Sequence, residues 1–314
     1  MDAPVKLGRS DVVEAATRIR ADVLATPLVE ADIEGRRLWL KAECAQTGGS
    51  FKLRGASNRL RQLTAAEAAR GVVAFSSGNH AQGVAIAARR MGIAATIVMP
   101  ADAPALKIDG TRAAGAEIVL YDRMTESREA IAAALADERG AVVVPSFDDP
   151  AIVAGQGTVG LEIVAQLGRA PARIVVPCGG GGLATGIALA CPEAEIVVAE
   201  PEGWGDMGES LAAGRIVPVR ADPPPTRCDA LMTMRVADLT FDILRDRGAS
   251  GVTVSEGEVA AAIRWAWREH GLTVEPGGAV ALAVLLAGRV DGDDSVVVLS
   301  GGNVDAALFA RTVG

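Results

Sequence analysis

Residues 48–58 read Gly-Gly-Ser-Phe-Lys-Leu-Arg-Gly-Ala-Ser-Asn, and Lys52 stands near the centre of this stretch, where a predicted helix begins. A lysine among aromatic, aliphatic and small neighbours loses part of its hydration. This lowers its proton affinity and leaves a neutral amine that can form a Schiff base with an aldehyde. An ordinary surface lysine beside a glycine-rich turn is the alternative, and this stretch alone does not decide between the two.

Short β-branched runs alternate with alanine-rich helical patterns over most of the chain. Strands are predicted over residues 37–42, 71–76, 94–99, 116–121, 141–144, 173–177, 195–199 and 295–299, with helices between most of them. Such alternation is typical of βαβ units and parallel sheets. Because the strands are too many for one simple sheet, we expect a two-lobed α/β fold with a cleft, each lobe an open, mainly parallel sheet flanked by helices. We place a large domain at residues 1–66 and 147–314 and a small, mobile domain at residues 67–146.

Composition excludes several classes of function. The chain has 314 residues, a net charge of −8 and an N-terminus without the apolar run of a signal peptide. The charge argues against nucleic acid as a partner, and no stretch approaches the ~20 apolar residues of a membrane span. The cysteines are scattered without metal-ligand spacing, which favours a reduced, cytoplasmic protein. They are Cys44, Cys178, Cys191 and Cys228.

Two turns that each join a predicted strand to a helix carry polar or glycine-rich sequence. Residues 76–80 read Ser-Ser-Gly-Asn-His, at a helix start whose free N–H groups suit a carboxylate or phosphate. Residues 177–183 read Pro-Cys-Gly-Gly-Gly-Gly-Leu, a bare backbone that can surround a phosphate. Neither the dinucleotide nor the P-loop pattern fits, because Ala184 and Ile187 occupy the required positions. Simple helix capping and a structural turn are the alternatives.

A third polar turn, Leu-Ser-Gly-Gly-Asn at residues 299–303, follows the last predicted strand. Strand ends of this kind bind ligands in open α/β sheets. A Schiff-base lysine, a phosphate loop and an anion-binding helix start together suggest pyridoxal 5′-phosphate. The chain also resembles the fold type II, tryptophan synthase β-like pyridoxal-phosphate enzymes, in the branch of threonine/serine dehydratases, serine racemases and hydroxyaspartate dehydratases. The motifs at residues 50–56, 76–82, 179–183, 275–279 and 300–303 match in order and spacing.

The resemblance implies a role for each matching residue, and it implies that the large domain binds the cofactor. Lys52 would hold pyridoxal phosphate and move the substrate α-proton, with Phe51 on the ring and Asn79 at the ring hydroxyl. Gly179, Gly180, Gly181, Gly182 and Leu183 would hold the phosphate, and Ser300 would meet the ring nitrogen. The substrate carboxylate would sit on Ser76, Ser77, Asn79 and His80. A hydroxyl at the ring nitrogen makes a weaker electron sink than a carboxylate partner does, which favours elimination over transamination.

The loop after residue 199 is acidic, with the sequence Glu-Pro-Glu-Gly-Trp-Gly-Asp at residues 200–206. Two carboxylates and a carbonyl suit a hard cation such as Mg²⁺, Ca²⁺ or Mn²⁺ rather than zinc. The resemblance to serine racemase-like members implies Glu200, the Trp204 carbonyl and Asp206 as ligands. Without that resemblance the loop is a solvated acidic surface.

Two positions bear on the substrate. Ser77 matches racemases and hydroxyaspartate dehydratases rather than the many threonine dehydratases with alanine there, and it would face the substrate opposite Lys52. Arg128 matches an arginine at the distal end of the substrate in racemase-like members, whereas an exposed helix charge is the alternative.

The sequence predicts an ammonia-lyase, also called a dehydratase, that converts serine, threonine or 3-hydroxyaspartate to a 2-oxo acid and ammonia. A racemase with side elimination is the alternative, since Ser77 could serve as a second acid. The expected partner is a small amino-acid substrate, with neither nucleic acid nor membrane, and the expected assembly is a homodimer.

Overall fold

The computed structural model describes residues 7–76, 78–103 and 105–314. The strands are β1 (Leu28–Ile33), β2 (Arg36–Lys41), β3 (Val72–Phe75), β4 (Ala95–Pro100), β5 (Glu117–Tyr121), β6 (Val142–Val143), β7 (Arg173–Pro177), β8 (Glu195–Pro201), β9 (Ser250–Val254) and β10 (Ser295–Val298). The helices are α1 (Arg9–Ile19), α2 (Lys52–Leu60), α3 (Ala65–Arg70), α4 (Asn79–Met91), α5 (Ala105–Ala113), α6 (Arg128–Arg139), α7 (Pro150–Leu167), α8 (Gly182–Ala190), α9 (Asp206–Ala213), α10 (Asp238–Asp246), α11 (Glu256–His270), α12 (Pro276–Leu286) and α13 (Ala306–Val313).

The larger sheet has six strands in the order β1-β2-β10-β7-β8-β9. β1 runs antiparallel to β2, and every other neighbouring pair is parallel. The central strands are buried on both faces, which explains their β-branched composition. Val297 packs in the cluster that includes α12, whereas Val296 and Val298 pack in the cluster that includes α7 and α8.

The smaller sheet has four parallel strands in the order β5-β4-β3-β6. Alternate residues of β3 again face opposite layers. Val72 and Ala74 pack in a cluster with α4, and Val73 packs with Ala132 and Ala136 of α6. The helices therefore cover this sheet on both sides.

Helix α2 packs against both α4 and α7 and carries Lys52 at its first turn. Glycines allow its neighbours to approach closely. A Cβ at Gly155 of α7 would lie 2.6 Å from the Gly55 Cα, and a Cβ at Gly83 of α4 would lie 3.0 Å from the Lys52 carbonyl carbon. Helix α2, which carries Lys52, is thus packed closely against both α7 and α4.

The predicted two-lobed, mainly parallel α/β fold is confirmed. The structure adds two strands that the pattern did not predict, β1 and β9, at opposite edges of the larger sheet. The smaller sheet lies within residues 72–143, while the domain boundaries placed at residues 66/67 and 146/147 remain a prediction. In the described residues no helix is long and apolar enough to cross a membrane.

Candidate active site

Lys52, at the start of α2, is half-buried. Its Nζ donates a hydrogen bond to the Ser146 carbonyl at 2.9 Å and lies 5.2 Å from the centre of the Phe51 ring. Burial lowers the pKa of Lys52 from its usual 10.5 to about 8. A larger share of the amine is therefore neutral, and able to react as a nucleophile, than for a lysine in water.

Lys52 lines a cavity of about 570 Å³. Four other predicted site residues line the same cavity, namely Ser76, Asn79, His80 and Arg128. Several lining residues were not singled out from the sequence; they include Lys107, Phe147, Asp229 and Glu275. The structure thus brings the predicted lysine, the predicted anion-binding turn and Arg128 to one space.

The turn before α4 offers backbone donors to this cavity. The helix begins at Asn79, so the first N–H groups of α4 have no partner within the helix. The Gly78 N–H donates to the Ser76 hydroxyl at 3.2 Å. Ser77, the predicted second catalytic residue, lies outside the described residues. A helix start of this kind can bind a carboxylate through its free N–H groups and its dipole.

His80 is buried, and its Nε2 lies 2.9 Å from the Val144 carbonyl oxygen. A carbonyl only accepts, so Nε2 must carry a proton. Burial and the charge of Lys52 lower the pKa of His80 to about 3. The ring is therefore neutral, and its remaining nitrogen, Nδ1, can only accept. A carboxylate at this helix start can be bound by the His80 backbone N–H but not by the imidazole.

Asn79 is held between two side chains. Its Oδ1 accepts from Asn303 Nδ2 at 2.8 Å, and its Nδ2 donates to Glu275 Oε1. Glu275 precedes α12 and is buried. The sequence displayed Glu275 within a matching motif, yet no pattern in the chain indicated that its carboxyl group reaches Asn79.

The glycine-rich loop follows β7 and leads into α8. Gly181 has φ +86°, a left-handed conformation that favours glycine, and the Gly180 carbonyl accepts from the Thr240 hydroxyl at 2.9 Å. A Cβ at Gly180 would lie 2.3 Å from the Phe147 ring, so this ring covers the loop. In the described part of the chain, neither residues 179–183, nor Phe51, nor Ser300 lines the cavity itself.

Ser300 is buried beside the Lys52 stretch, since its carbonyl accepts the Phe51 N–H at 3.2 Å. Arg128 lies at the start of α6, with its guanidinium 5.5 Å from the centre of the Phe75 ring. Its Nε donates to Glu129 at 2.8 Å. Arg128 is half exposed at the cavity wall, so both the substrate-facing and the surface-charge interpretations fit this placement.

The acidic loop lies at the end of β8. Glu200 accepts from the backbone N–H groups of Met207 and Gly208 at 3.0 and 2.8 Å, whereas neither Asp206 carboxylate oxygen has a hydrogen-bond partner. Burial raises the pKa of Glu200 to about 8 and that of Asp206 to about 7. Over the described ranges there is no cluster of three His, Cys, Asp or Glu side chains that could hold a metal.

Comparison with known proteins identifies the family. The model of the pyridoxal-phosphate dependent enzymes matches residues 19–302. The chain is 41% identical over 310 residues to L-threo-3-hydroxyaspartate ammonia-lyase of Pseudomonas sp., covering 96% of each. It is 39% identical to L-threonine ammonia-lyase of Thermotoga maritima, with 96% of this chain and 77% of the relative covered. The structure of maize serine racemase superposes with a TM-score of 0.91 at 35% identity, over 97% of this chain and 96% of that one.

This chain therefore belongs to the pyridoxal-phosphate dependent enzymes, and its matches include ammonia-lyases and a serine racemase. The resemblance drawn from the motifs is confirmed, and so is pyridoxal phosphate as the cofactor. The described residues offer two features that suit this cofactor, namely an amine of lowered pKa for its aldehyde and a bare glycine loop that leads into the N-terminus of α8.

Proposed function

We propose that this chain is a pyridoxal-phosphate-dependent ammonia-lyase that converts a small β-hydroxy amino acid to a 2-oxo acid and ammonia. The observation that carries the proposal is Lys52, whose amine has a pKa lowered to about 8 and lies in the wall of a cavity that the start of α4 also lines. The names of the relatives from Pseudomonas sp. and Thermotoga maritima support the reaction class. The substrate is serine, threonine or 3-hydroxyaspartate.

Lys52 would hold the cofactor and would also move the proton of the substrate α-carbon. When bound, the cofactor supplies an electron sink for the bond that breaks at this carbon. Residues 179–183 would hold its phosphate, Phe51 would pack on its ring, Asn79 would meet the ring hydroxyl and Ser300 would offer a hydroxyl to the ring nitrogen. Phe147 lies over Gly180, so we expect its ring to shift when the phosphate binds.

The N–H groups at the start of α4 bind the substrate carboxylate, together with the Ser76 and Ser77 hydroxyls and the amide of Asn79. The neutral imidazole of His80 leaves only its backbone N–H for this purpose. Arg128 lines the same cavity and supplies a positive charge for the distal end of the substrate. If Arg128 exchanges its present partner, Glu129, for the substrate, that charge would favour a substrate with a second carboxylate.

Serine racemisation with side elimination is the second candidate. The high TM-score with maize serine racemase favours it. A racemase needs groups on both faces of the α-carbon, and Ser77 is the proposed group opposite Lys52.

The purified protein should be yellow and should lose that absorbance on borohydride reduction, with the reduced cofactor on Lys52. A panel of β-hydroxy amino acids, followed by 2-oxo acid release and by chiral analysis of the remaining amino acid, separates lyase from racemase. A colourless protein that releases no 2-oxo acid from any of them would contradict the proposal.

We also propose a hard cation, Mg²⁺, Ca²⁺ or Mn²⁺, at Glu200, the Trp204 carbonyl and Asp206. Two observations support this proposal: both Asp206 oxygens are buried without a hydrogen-bond partner among the described residues, and repulsion from Asp206 adds to the raised pKa of Glu200. The metal would remove this repulsion and hold the loop between β8 and α9.

Chelation should lower the thermal midpoint of the wild type, and any of the three ions should restore it. An ion at a hundred times its Kd contributes about 2.7 kcal/mol. Asp206→Ala should be insensitive to chelator. Glu202→Ala, which removes an exposed carboxylate from the same loop, should respond like the wild type. A wild type unaffected by chelators would contradict the metal site.

The proposed assembly is a homodimer in the cytoplasm. The four cysteines are free, in keeping with a reducing compartment. The net charge of −8 is the reason to exclude nucleic acid as a partner.

A further inference from the structure

Glu275 occupies the position before α12 that often caps a helix, yet its side chain makes no capping hydrogen bond. The carboxyl group turns instead toward the cavity and accepts the Asn79 Nδ2–H. Glu275 is 3% exposed, and its Oε1 is taken up by this hydrogen bond.

A second side chain fixes Asn79 from the other end. Asn303 Nδ2 donates to Asn79 Oδ1 and to the Gly48 carbonyl, both at 2.8 Å. An amide nitrogen only donates and an ionised carboxylate only accepts. The Asn79 amide can therefore take a single orientation, with its oxygen toward Asn303 and its nitrogen toward Glu275. One Nδ2 hydrogen remains for a ligand in the cavity.

Two glycines leave room for the hydrogen-bond network of Glu275, Asn79 and Asn303. A Cβ at Gly301 would lie 2.1 Å from Glu275 Oε1 and 3.0 Å from Asn79 Nδ2. A Cβ at Gly49, which has φ +72°, would lie 2.2 Å from Asn303 Oδ1. Any larger residue at either position would displace a member of the network, so the contact between Glu275 and Asn79 depends on the surrounding backbone.

We propose that Glu275 is a positioning residue, which holds the Asn79 amide so that its free N–H meets the ring hydroxyl of bound pyridoxal phosphate. The proposal rests on the proposed cofactor contact of Asn79. Burial raises the pKa of Glu275 to about 7, with Asp229 raising it further and Asn79 and Lys107 lowering it. Either protonation state keeps an acceptor oxygen for Asn79, so the orientation is maintained on both sides of neutral pH.

A double-mutant cycle tests the coupling, with the Kd of pyridoxal phosphate for the apo protein as the readout. Glu275→Ala should weaken binding about tenfold in the wild-type background, as expected for a lost hydrogen bond to a charged group. In the Asn79→Ala background the same change should alter the Kd less than about twofold. Glu275→Gln keeps an acceptor oxygen and should restore affinity to within about threefold of the wild type.

The visible spectrum of the loaded protein gives a second readout, because the ring hydroxyl is part of the chromophore. Glu275→Ala should shift the absorbance band as Asn79→Ala does, and Glu275→Gln should not. The control is Glu258→Ala, which removes a carboxylate that caps α11 and should leave both Kd and spectrum unchanged. If Glu275→Ala does not fold, Glu275→Asp, which is one methylene too short to reach Asn79, replaces it in the cycle.

Equal weakening by Glu275→Ala in both backgrounds would overturn the inference and leave Glu275 a purely structural residue. So would an unchanged Kd and spectrum in Glu275→Ala alone. If Asn79→Ala itself binds with wild-type affinity, the proposed cofactor contact of Asn79 fails first. The lyase assays on β-hydroxy amino acids remain an independent test of the function.

Discussion

Lys52 and Arg54 lie two residues apart at the start of α2, Lys52 half-buried and Arg54 fully buried, yet the groups around the two cations are opposite in kind. Lys52 meets a single carbonyl, and burial lowers its pKa to about 8. Arg54 donates to Glu43 and to Glu162 at 2.6 to 2.9 Å. Burial alone would lower the pKa of Arg54, but these two carboxylates raise it above its usual range. Pairing, rather than burial, therefore separates a reactive amine from a structural cation.

The network around Arg54 also fixes where Lys52 stands. Glu162 of α7 accepts from both Arg54 and Lys41 of β2, and Lys41 donates further to the Thr26 carbonyl. These contacts tie α2 to α7 and to the larger sheet. Lys52 therefore lies on a helix, α2, that the ion pairs of Arg54 hold against the core.

Removing the unpaired cation should have the largest effect on function. Lys52→Ala should abolish covalent attachment of the cofactor and lower turnover by on the order of a thousandfold or more, because the Schiff base and the proton carrier are both lost. The thermal midpoint of the apo protein should stay near that of the wild type. Borohydride reduction followed by peptide mass analysis measures the attachment.

Lys107→Ala is the matched control, since Lys107 is the other described lysine in the cavity wall, and this variant should keep the attachment. Covalent attachment to another lysine in Lys52→Ala would contradict the assignment.

Removing the paired cation should act on stability instead. Arg54→Met leaves Glu43 buried without its cation, and breaking a buried ion pair from one side costs about 3–5 kcal/mol. Urea unfolding of the apo protein measures the loss. Arg59→Met, on the same helix, breaks a pair with Asp149 in which both side chains keep some contact with solvent, so it should cost clearly less than Arg54→Met. If the two variants lose the same free energy of unfolding, the Arg54 network contributes no more to stability than the Arg59–Asp149 pair.

Of these two residues, only Lys52 could be predicted from the sequence to have a functional role. Lys52 could be predicted because its neighbours are apolar or small and because glycine and polar turns mark the ends of β3, β7 and β10. The contact of Arg54 with Glu162 could not be predicted, because Glu162 is 108 residues away and no local pattern records such a contact. Glu275 was missed for the same reason, since its contact with Asn79 spans 196 residues.

The two missed strands have local explanations. In β1 the sequence Leu-Val-Glu-Ala-Asp-Ile mixes acidic residues into an edge strand that is exposed in part. In β9 the sequence Ser-Gly-Val-Thr-Val begins with residues that are poor strand formers. Both strands form because each pairs with a neighbour in the larger sheet, β1 with β2 and β9 with β8. Tertiary pairing therefore overrides a weak local signal at the sheet edges.

The pKa of Lys52 predicts how cofactor attachment depends on pH. The neutral amine is the nucleophile, and a pKa of about 8 gives a neutral fraction of about one tenth at pH 7 and nine tenths at pH 9. The second-order rate of attachment to the apo protein should therefore rise about tenfold over this interval and then level off. Stopped-flow absorbance measures this rate. A rate that keeps rising tenfold per unit beyond pH 9 would mean an ordinary, solvated lysine.

Among these variants, replacement of Ser77 should change the rate of elimination least. Its effect should fall mainly on the rate of racemisation. Removing and returning a proton on opposite faces of the α-carbon requires two groups, and Lys52 can serve one face. A hydroxyl is a poor base unless its anion is stabilised, so loss of the β-hydroxyl should outrun reprotonation. We expect elimination to dominate, with slow racemisation of serine as a side reaction.

Ser77→Ala should suppress racemisation at least about tenfold and change elimination less than about threefold, because a second proton carrier contributes ~10²-fold or more only to the reaction that uses it. Chiral chromatography of serine and 2-oxo acid release, measured in one reaction mixture, give the two rates. Ser76→Ala, which removes the neighbouring hydroxyl proposed to bind the carboxylate, should instead lower both rates together by raising KM. If Ser77→Ala also lowers both rates alike, Ser77 mainly holds the substrate carboxylate, and the two-faced mechanism must be dropped.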